Sequence, residues 1–338
     1  MDRIPEINGA LPLKVAGMGR YLPKKVVSSR ELEMNYRLTE GWCRETLGVS
    51  ERRWVEDETS SFMGAEAAKE ALAAAQLEAE DLDLIVNASG TASFERLLPD
   101  GGPMIQQKLG LDQSGIPAFT MQNNCSSFML ALYVCAGLLA SGRYENILVV
   151  SSEVLSRNLD TRNPKVYGLF GDGAAAAVIN PTPGGEPSAI HQAKFETYGQ
   201  GASYMKSLWG LTASRIKDPH PENLTLQMDL EAFTKYGSRC AGQLIDKVFQ
   251  EQDLHIHRED IKLVIPQQAG KAFLDFLKQK FPDEKILRVV DRFGFCGAAS
   301  LPMTLYEAVK EKKLQRGDLF LMIGVGAGLS VGGMIMTY

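Results

Sequence analysis

The chain has 338 residues, 45% of them hydrophobic and 23% charged, with a formal net charge of −5. That length buries a substantial core in two domains or one large α/β body, and the balance is that of a soluble globular protein. With no basic arm or polybasic patch, composition gives no electrostatic ground for a nucleic-acid or anionic-membrane partner.

The opening stretch "MDRIPEINGALPL" lacks a cationic segment followed by an apolar core, so no secretory signal is read there. In the first half, "AEAAKEALAAAQL" predicts a helix, "DLDLIVNASG" a strand running into a polar turn, and "GPMIQQKLGL" a second helix. "FMLALYVCAGLLASG" follows as an apolar helix, "NILVVSSE" as a buried strand and "LFGDGAAAAVIN" as a Gly-bracketed strand. The longest apolar run, Phe128 to Ala140, is thirteen residues, too short to span a bilayer. It is apolar all round, as a helix sandwiched between layers must be.

The Pro- and Gly-rich stretch "NPTPGGEPS", 180–188, reads as a link, giving halves of 1–182 and 183–338. The second half repeats the first. "CAGQLIDKVFQEQDL" is a helix, "DIKLVIPQQAG" a strand into a turn, and "KAFLDFLKQKF" a helix. "CGAASLPMTLYEAVKEKKL", "DLFLMIGVG" and "GLSVGGMIMTY" complete the series. Ile147 follows Cys125 by 22 residues, and Leu319 follows Cys296 by 23, so two cysteines open helices in corresponding places. A duplicated α/β architecture, with equivalent helices buried between sheets, is the predicted fold.

The five cysteines (Cys43, Cys125, Cys135, Cys240, Cys296) are scattered and show no metal-binding spacing. Reduced thiols in a cytoplasm are therefore expected, with no metal site. Cys125 stands among Asn123, Asn124, Ser126 and Ser127, where a strand-to-helix turn is predicted. A thiol at a helix N-terminus is biased towards thiolate, but a small buried core residue fits the same decapeptide. Cys135 and Cys240 fall inside helical patterns and read as core. In "GVGAGLSVGG", 324–333, closely spaced glycines let backbone N–H groups approach a ligand. "FGDGAAAAV" lacks the Lys-Ser/Thr ending of a phosphate loop and reads as a tight turn into a strand.

The ordered set "YLP…GWCRETLGVSERRW", "NNCSS", "LFGDGAAAAV", "VIPQQAG", "FGFCGAAS" and "GVGAGLSVGG" resembles the β-ketoacyl-acyl carrier protein synthase III family, from about Val15 to Tyr338. The resemblance implies the thiolase fold, a five-layered α/β/α/β/α duplicate, and a homodimer. It implies Cys125 as a nucleophile that takes an acyl group from a thioester. The Cys125 N–H, with one from the Gly326–Ala327–Gly328 turn, would form the oxyanion hole. It implies no tightly bound cofactor, with an acyl-CoA or acyl-phosphopantetheine thioester as substrate and acyl carrier protein as a candidate partner. Trp42 matches an aromatic that stacks on the coenzyme A adenine in the family. The arginines usual near it correspond to Thr46 and to about Pro164, where Arg162 and Lys165 stand close by.

Two departures matter. Gln267 occupies the place of the family's catalytic histidine, in Pro266-Gln267-Gln268-Ala269-Gly270, and Phe295 that of its asparagine. A phenyl ring donates no hydrogen bond and is expected to crowd a malonyl site, while Gln267 donates one but shuttles no proton near neutrality. Losing positioned donors costs about 10²–10³-fold each in rate. His191, His220, His255 and His257 offer no obvious substitute, and Cys296 reads as a small residue filling vacated volume. The expectation is an acyltransferase that passes the acyl group from Cys125 to a second nucleophile, with decarboxylative condensation impaired. The alternative is a supporting, non-catalytic subunit in a heterodimer with a paralogous synthase. "ERLLPDGGP" and "SYMKSLWGLTASRIKDPHPENL" are expected to border the acyl pocket.

Overall fold

A computed structural model describes residues 9–91, 99–206, 225–250 and 255–338. His220 lies outside the described residues, as do 95–98 and 207–224 of the two expected pocket-border segments. The strands, in chain order, are β1 (Leu11–Pro12), β2 (Lys14–Tyr21), β3 (Lys25–Ser28), β4 (Glu51–Trp54), β5 (Leu84–Asn87), β6 (Ala118–Thr120), β7 (Ile147–Glu153) and β8 (Gly173–Asn180). β9 (Ala189–Thr197), β10 (Met205–Lys206), β11 (Gln227–Met228), β12 (Leu263–Pro266), β13 (Leu319–Gly326) and β14 (Ser330–Thr337) follow.

They form two five-stranded sheets, ordered β2-β8-β7-β5-β6 and β1-β9-β14-β13-β12, with two short hairpins, β3-β4 and β10-β11. In the first sheet β5 and β7 are parallel, while β8 runs antiparallel to both β7 and β2. In the second, β12 and β13 are parallel, and β14 runs antiparallel to both β13 and β9. The duplication read from the sequence is therefore a duplication of sheet topology. β1 belongs in sequence to the first segment, yet it pairs with β9 in the second sheet, Leu11 opposite Ile190.

Five layers result. Helix Ser60–Ala75 packs on the outer face of the first sheet, against β2, β7 and β8. Helices Ser127–Ala140 and Ser300–Lys310 lie between the sheets, each touching strands of both. Helix Leu230–Phe249 covers the second sheet on β9, β13 and β14. The central parallel strands β5 and β7 are buried throughout, hence the unbroken apolar runs "LIVN" and "ILVV". The outer helix is alanine-rich because it sits on backbone: a Cβ at Gly19 would fall 2.1 Å from the Ala67 carbonyl oxygen, and one at Gly17 2.3 Å from that of Ala71.

The sandwiched helix Ser127–Ala140 departs from expectation on one side. Phe128, Met129, Leu132, Cys135 and Leu139 are in the central core, but Tyr133 and Val134 are 39% and 38% exposed. Its apolar character exceeds what burial within one chain requires. The β6 edge strand adds Phe119, 39% exposed. Among the described residues, no helix is long and apolar enough to cross a membrane.

Candidate active site around Cys125

The chain leaves β6 and turns sharply before entering helix Ser127–Ala140. The turn is held by its own polar residues. The Ser126 and Ser127 N–H groups donate to the Asn123 and Asn124 carbonyls at 3.1 and 3.0 Å. Asn123 N–H donates to Ser127 Oγ at 2.8 Å. Asn124 adopts a left-handed φ of 49°, which asparagine tolerates better than most side chains, and its Nδ2 donates to the Ala327 carbonyl at 3.2 Å. This ties the cysteine turn to the β13–β14 turn. Gly326 permits the approach, since a Cβ there would lie 3.3 Å from Asn123 O and 3.5 Å from Cys125 N.

Cys125 is 5% exposed and lines a cavity of about 270 Å³ with Gly90, Thr91, Glu153, Leu155, Phe170 and Ala327, among others. Both the nucleophile candidate and the proposed oxyanion turn thus face one space. Helix-dipole activation, expected from the sequence, does not govern the thiol. Cys125 precedes the N-cap, Ser126, and burial, then the charge of Glu153, pushes its pKa up to about 12. Ala327 N–H and the Gln267 amide act in the opposite direction but are outweighed. The resting thiol is protonated, so attack on a thioester requires a proton acceptor.

Gln267 is fully buried at the end of β12 and its amide is committed. Val325 N–H donates to its Oε1 at 2.6 Å, and its Nε2 points at the Cys125 carbonyl at 3.5 Å. Phe295 is also fully buried and packs on Phe170, ring centroids 5.1 Å apart. The cavity-lining ring is Phe170; Phe295 packs on it and does not itself line the cavity. Backbone bonds pin Phe295 in place, its N–H to Leu169 O at 2.8 Å and its carbonyl from Gly171 N–H at 3.1 Å. The "FGDG" turn is structural, as expected. Its buried Asp172 accepts from the N–H groups of Val55, Leu155 and Ser156 at 2.9, 2.7 and 2.9 Å, fixing the loop that carries Leu155 to the cavity.

Cys296 is buried, its N–H bonded to Ser300 Oγ at 2.9 Å, while the next residues Gly297 and Ala298 reach the cavity. His191 on β9 bonds Thr337 Oγ1 at 2.7 Å, and His255 and His257 are exposed before β12. Neither Cys135 nor Cys240 is accessible. Among the described residues no group of three His, Cys, Asp or Glu side chains could hold a metal ion.

The donor-binding candidates fall on two faces. Lys165 and Thr46 line a surface groove with Lys235, Gly270 and Lys271, and Trp42 opens the helix that carries Thr46, half-buried against the second-half core. Arg162 lies in a different depression and makes a two-pronged ion pair with Asp160, at 2.8 and 2.9 Å. Lys206 and Leu226 line both that depression and the Cys125 cavity. Sequence reasoning missed Glu153, the buried acid of the cavity. Its signal was a single charge closing an otherwise uncharged strand, "ILVVSSE".

Residues 119–199 match the family model 3-Oxoacyl-[acyl-carrier-protein (ACP)] synthase III, and residues 252–338 match its C-terminal counterpart. The chain is similar to the beta-ketoacyl-[acyl-carrier-protein] synthase III of Aquifex aeolicus, 33% identical with 96% of this chain and 99% of that protein covered. The crystal structure of the 3-oxoacyl-[acyl-carrier-protein] synthase III from Aquifex aeolicus VF5 superposes with a TM-score of 0.86 at 31% identity, covering 96% of this chain and all of that one. The priming beta-ketosynthase from the R1128 polyketide biosynthetic pathway superposes at 0.85 with 27% identity, covering 99% and 98%.

Proposed function

Because the chain belongs to the 3-oxoacyl-[acyl-carrier-protein] synthase III family, we propose that it loads an acyl group onto Cys125 and passes it to a second nucleophile. The acyl donor is a coenzyme A or carrier-protein thioester. Decarboxylative malonyl condensation is impaired. One observation carries this reading: the acyl-holding side is intact while the condensing side is not. Cys125 and Ala327 share a cavity, whereas Gln267 has its amide bound to Val325 and Phe295 is sealed behind Phe170. An enolate formed from malonyl thioester would find no donor at Phe295, and at Gln267 only the amide N–H that also acts on Cys125.

Trp42, Arg162 and Lys165 are proposed to contact the donor's nucleotide or phosphopantetheine end. A homodimer fits the exposed apolar Phe119, Tyr133 and Val134, and the 1–182 and 183–338 segments are taken as the two duplicated halves. A cytoplasmic setting, which keeps thiols reduced, suits the chemistry.

Intact-protein mass spectrometry after incubation with a panel of acyl-coenzyme A and acyl-carrier thioesters tests this reading, with Cys125→Ala as control. The expected result is one acyl mass on the wild type, none on the variant, and no carbon dioxide release from malonyl thioester. A folded protein that no donor acylates would sink it and favour the supporting-subunit role.

A further inference from the structure

The protonated thiol of Cys125 needs a base, and the histidine position cannot provide one. Glu153 ends β7, is fully buried, and lines the Cys125 cavity. Its Oε1 accepts from Gly90 N–H and its Oε2 from Thr91 Oγ1. A methyl built on Gly90 would touch both the Asn124 carbonyl carbon, at 2.8 Å, and Glu153 Oε1, at 3.2 Å. The carboxylate therefore lies alongside the peptide that enters Cys125. On its other side it packs against Gly297, where a Cβ would stand 3.3 Å from Glu153 Cγ. Among the described residues no Lys or Arg pairs with it. Backbone N–H groups of Thr91 and Ala298 also act on the carboxylate, so acceptor oxygens are what this pocket is built around.

We propose that Glu153 is the general base and proton carrier of this site, serving acceptors that lose a proton from the attacking atom, such as amines, alcohols or thiols. The inference rests on the acyl-transfer reading. In loading, the Cys125 S–H proton passes to Glu153 as Sγ attacks the thioester carbonyl. The donor's C–S bond breaks, and the departing thiolate takes that proton. In transfer, the acceptor's N–H, O–H or S–H proton passes to Glu153 while the new acyl bond forms. The acyl–Sγ bond breaks, and the Cys125 thiolate recovers the proton. Burial, opposed by the Thr91 and Gly90 hydrogen bonds, lifts Glu153 to about 7, where acid and base forms are both available near neutrality. The other ionisable groups around it are Cys125 and Cys296, which both feel its charge, and Lys206 at the cavity wall.

The test is the rate of Cys125 alkylation by iodoacetamide, located by peptide mass spectrometry on either side of neutral pH. Wild type, Glu153→Gln and Glu153→Asp are compared, each with its circular dichroism spectrum. If Glu153 is the base, wild-type alkylation climbs as the carboxyl ionises, with a midpoint near 7. The Gln variant loses that limb and reacts more slowly, the Asp variant recovers part of it, and acyl transfer in the Gln variant falls by about 10²–10⁴-fold. A merely electrostatic neighbour gives the opposite sign. Removing its charge would ease thiolate formation, so equal or faster alkylation in the Gln variant overturns the proposal. Should Glu153→Gln fail to fold, a wild-type profile without the limb near 7 does the same. Because alkylation needs no acyl donor, failure of acylation by every thioester would refute the acyl-transfer reading separately.

Discussion

Replacing Gln267 by methionine keeps the side-chain volume while deleting both polar contacts, so it isolates what the amide does. Two bonds are lost, and they are unequal. The Val325 N–H bond is 2.6 Å and buried; the one to the Cys125 carbonyl is 3.5 Å, at the outer limit of a useful geometry. The cost is therefore dominated by orphaning the Val325 N–H, about 1–3 kcal/mol. Packing adds little, because near-isosteric apolar swaps stay under about 1.5 kcal/mol. The expected result is a urea midpoint lowered by that amount with an unchanged slope. Acylation of Cys125 should slow as well, since β13 and the cysteine turn are no longer held in register through residue 267. Unchanged stability, within about 0.5 kcal/mol, would show that Gln267 is not the clamp described here. Faster acylation in the variant would contradict its positioning role.

Gly19→Val should prevent folding or cost at least about 1–3 kcal/mol, because its Cβ would meet the Ala67 carbonyl oxygen at 2.1 Å; soluble yield and thermal midpoint check this. Glu153 gives stability a pH dependence whose sign follows from its raised pKa. Its folded value is about 7 against 4.5 for the free group, so between those limits the native state holds the extra proton. Wild type should lose stability relative to Glu153→Gln as pH climbs through that window, by on the order of 3 kcal/mol. Urea titrations of both proteins at several pH values measure it, and a flat difference would contradict the assignment. Phe119→Lys, on the exposed β6 edge, should shift a wild-type dimer towards monomer in sedimentation velocity; a monomeric wild type would refute the dimer reading.

The fold was legible because the signals that specify it are local and repeated. "LIVN", "ILVV" and "LVIP" are short apolar runs of the kind that strands buried on both faces carry, and "LIVN" and "LVIP" stand at counterpart positions of the two sheets. The two helices between the sheets were equally plain, but the exposed side of Ser127–Ala140 was not. Apolar residues on every face signal burial without saying whether one chain or two provides it. The place of Cys125, the proposed nucleophile, followed from the turn before a helix. Its ionisation did not, because the helix dipole acts locally whereas burial and Glu153 come from the folded surroundings.

Glu153 shows why a substituted active site is hard to read one position at a time. On the proposed reading, positions 267 and 295 announce the change, since glutamine and phenylalanine cannot do what histidine and asparagine do. What replaces them need not stand where they stood. A proton carrier must reach the reacting sulfur, and the proposed one comes from β7, a residue that shares the Cys125 cavity and whose strand pattern marks it only as the end of an apolar run. On the proposed mechanism this relocation also shapes specificity. A histidine and an asparagine stabilise an enolate by donating hydrogen bonds, and so favour a carbon nucleophile. A buried carboxylate accepts a proton instead, and so favours an attacking atom that must lose one. On that proposal, exchanging donors for an acceptor would turn the site from carbon–carbon bond formation towards ester, amide or thioester formation. Comparing wild type with Glu153→Gln on amine, alcohol and thiol acceptors should show a uniform loss of rate across all three. A loss confined to one acceptor would place Glu153 in acceptor recognition instead of proton transfer.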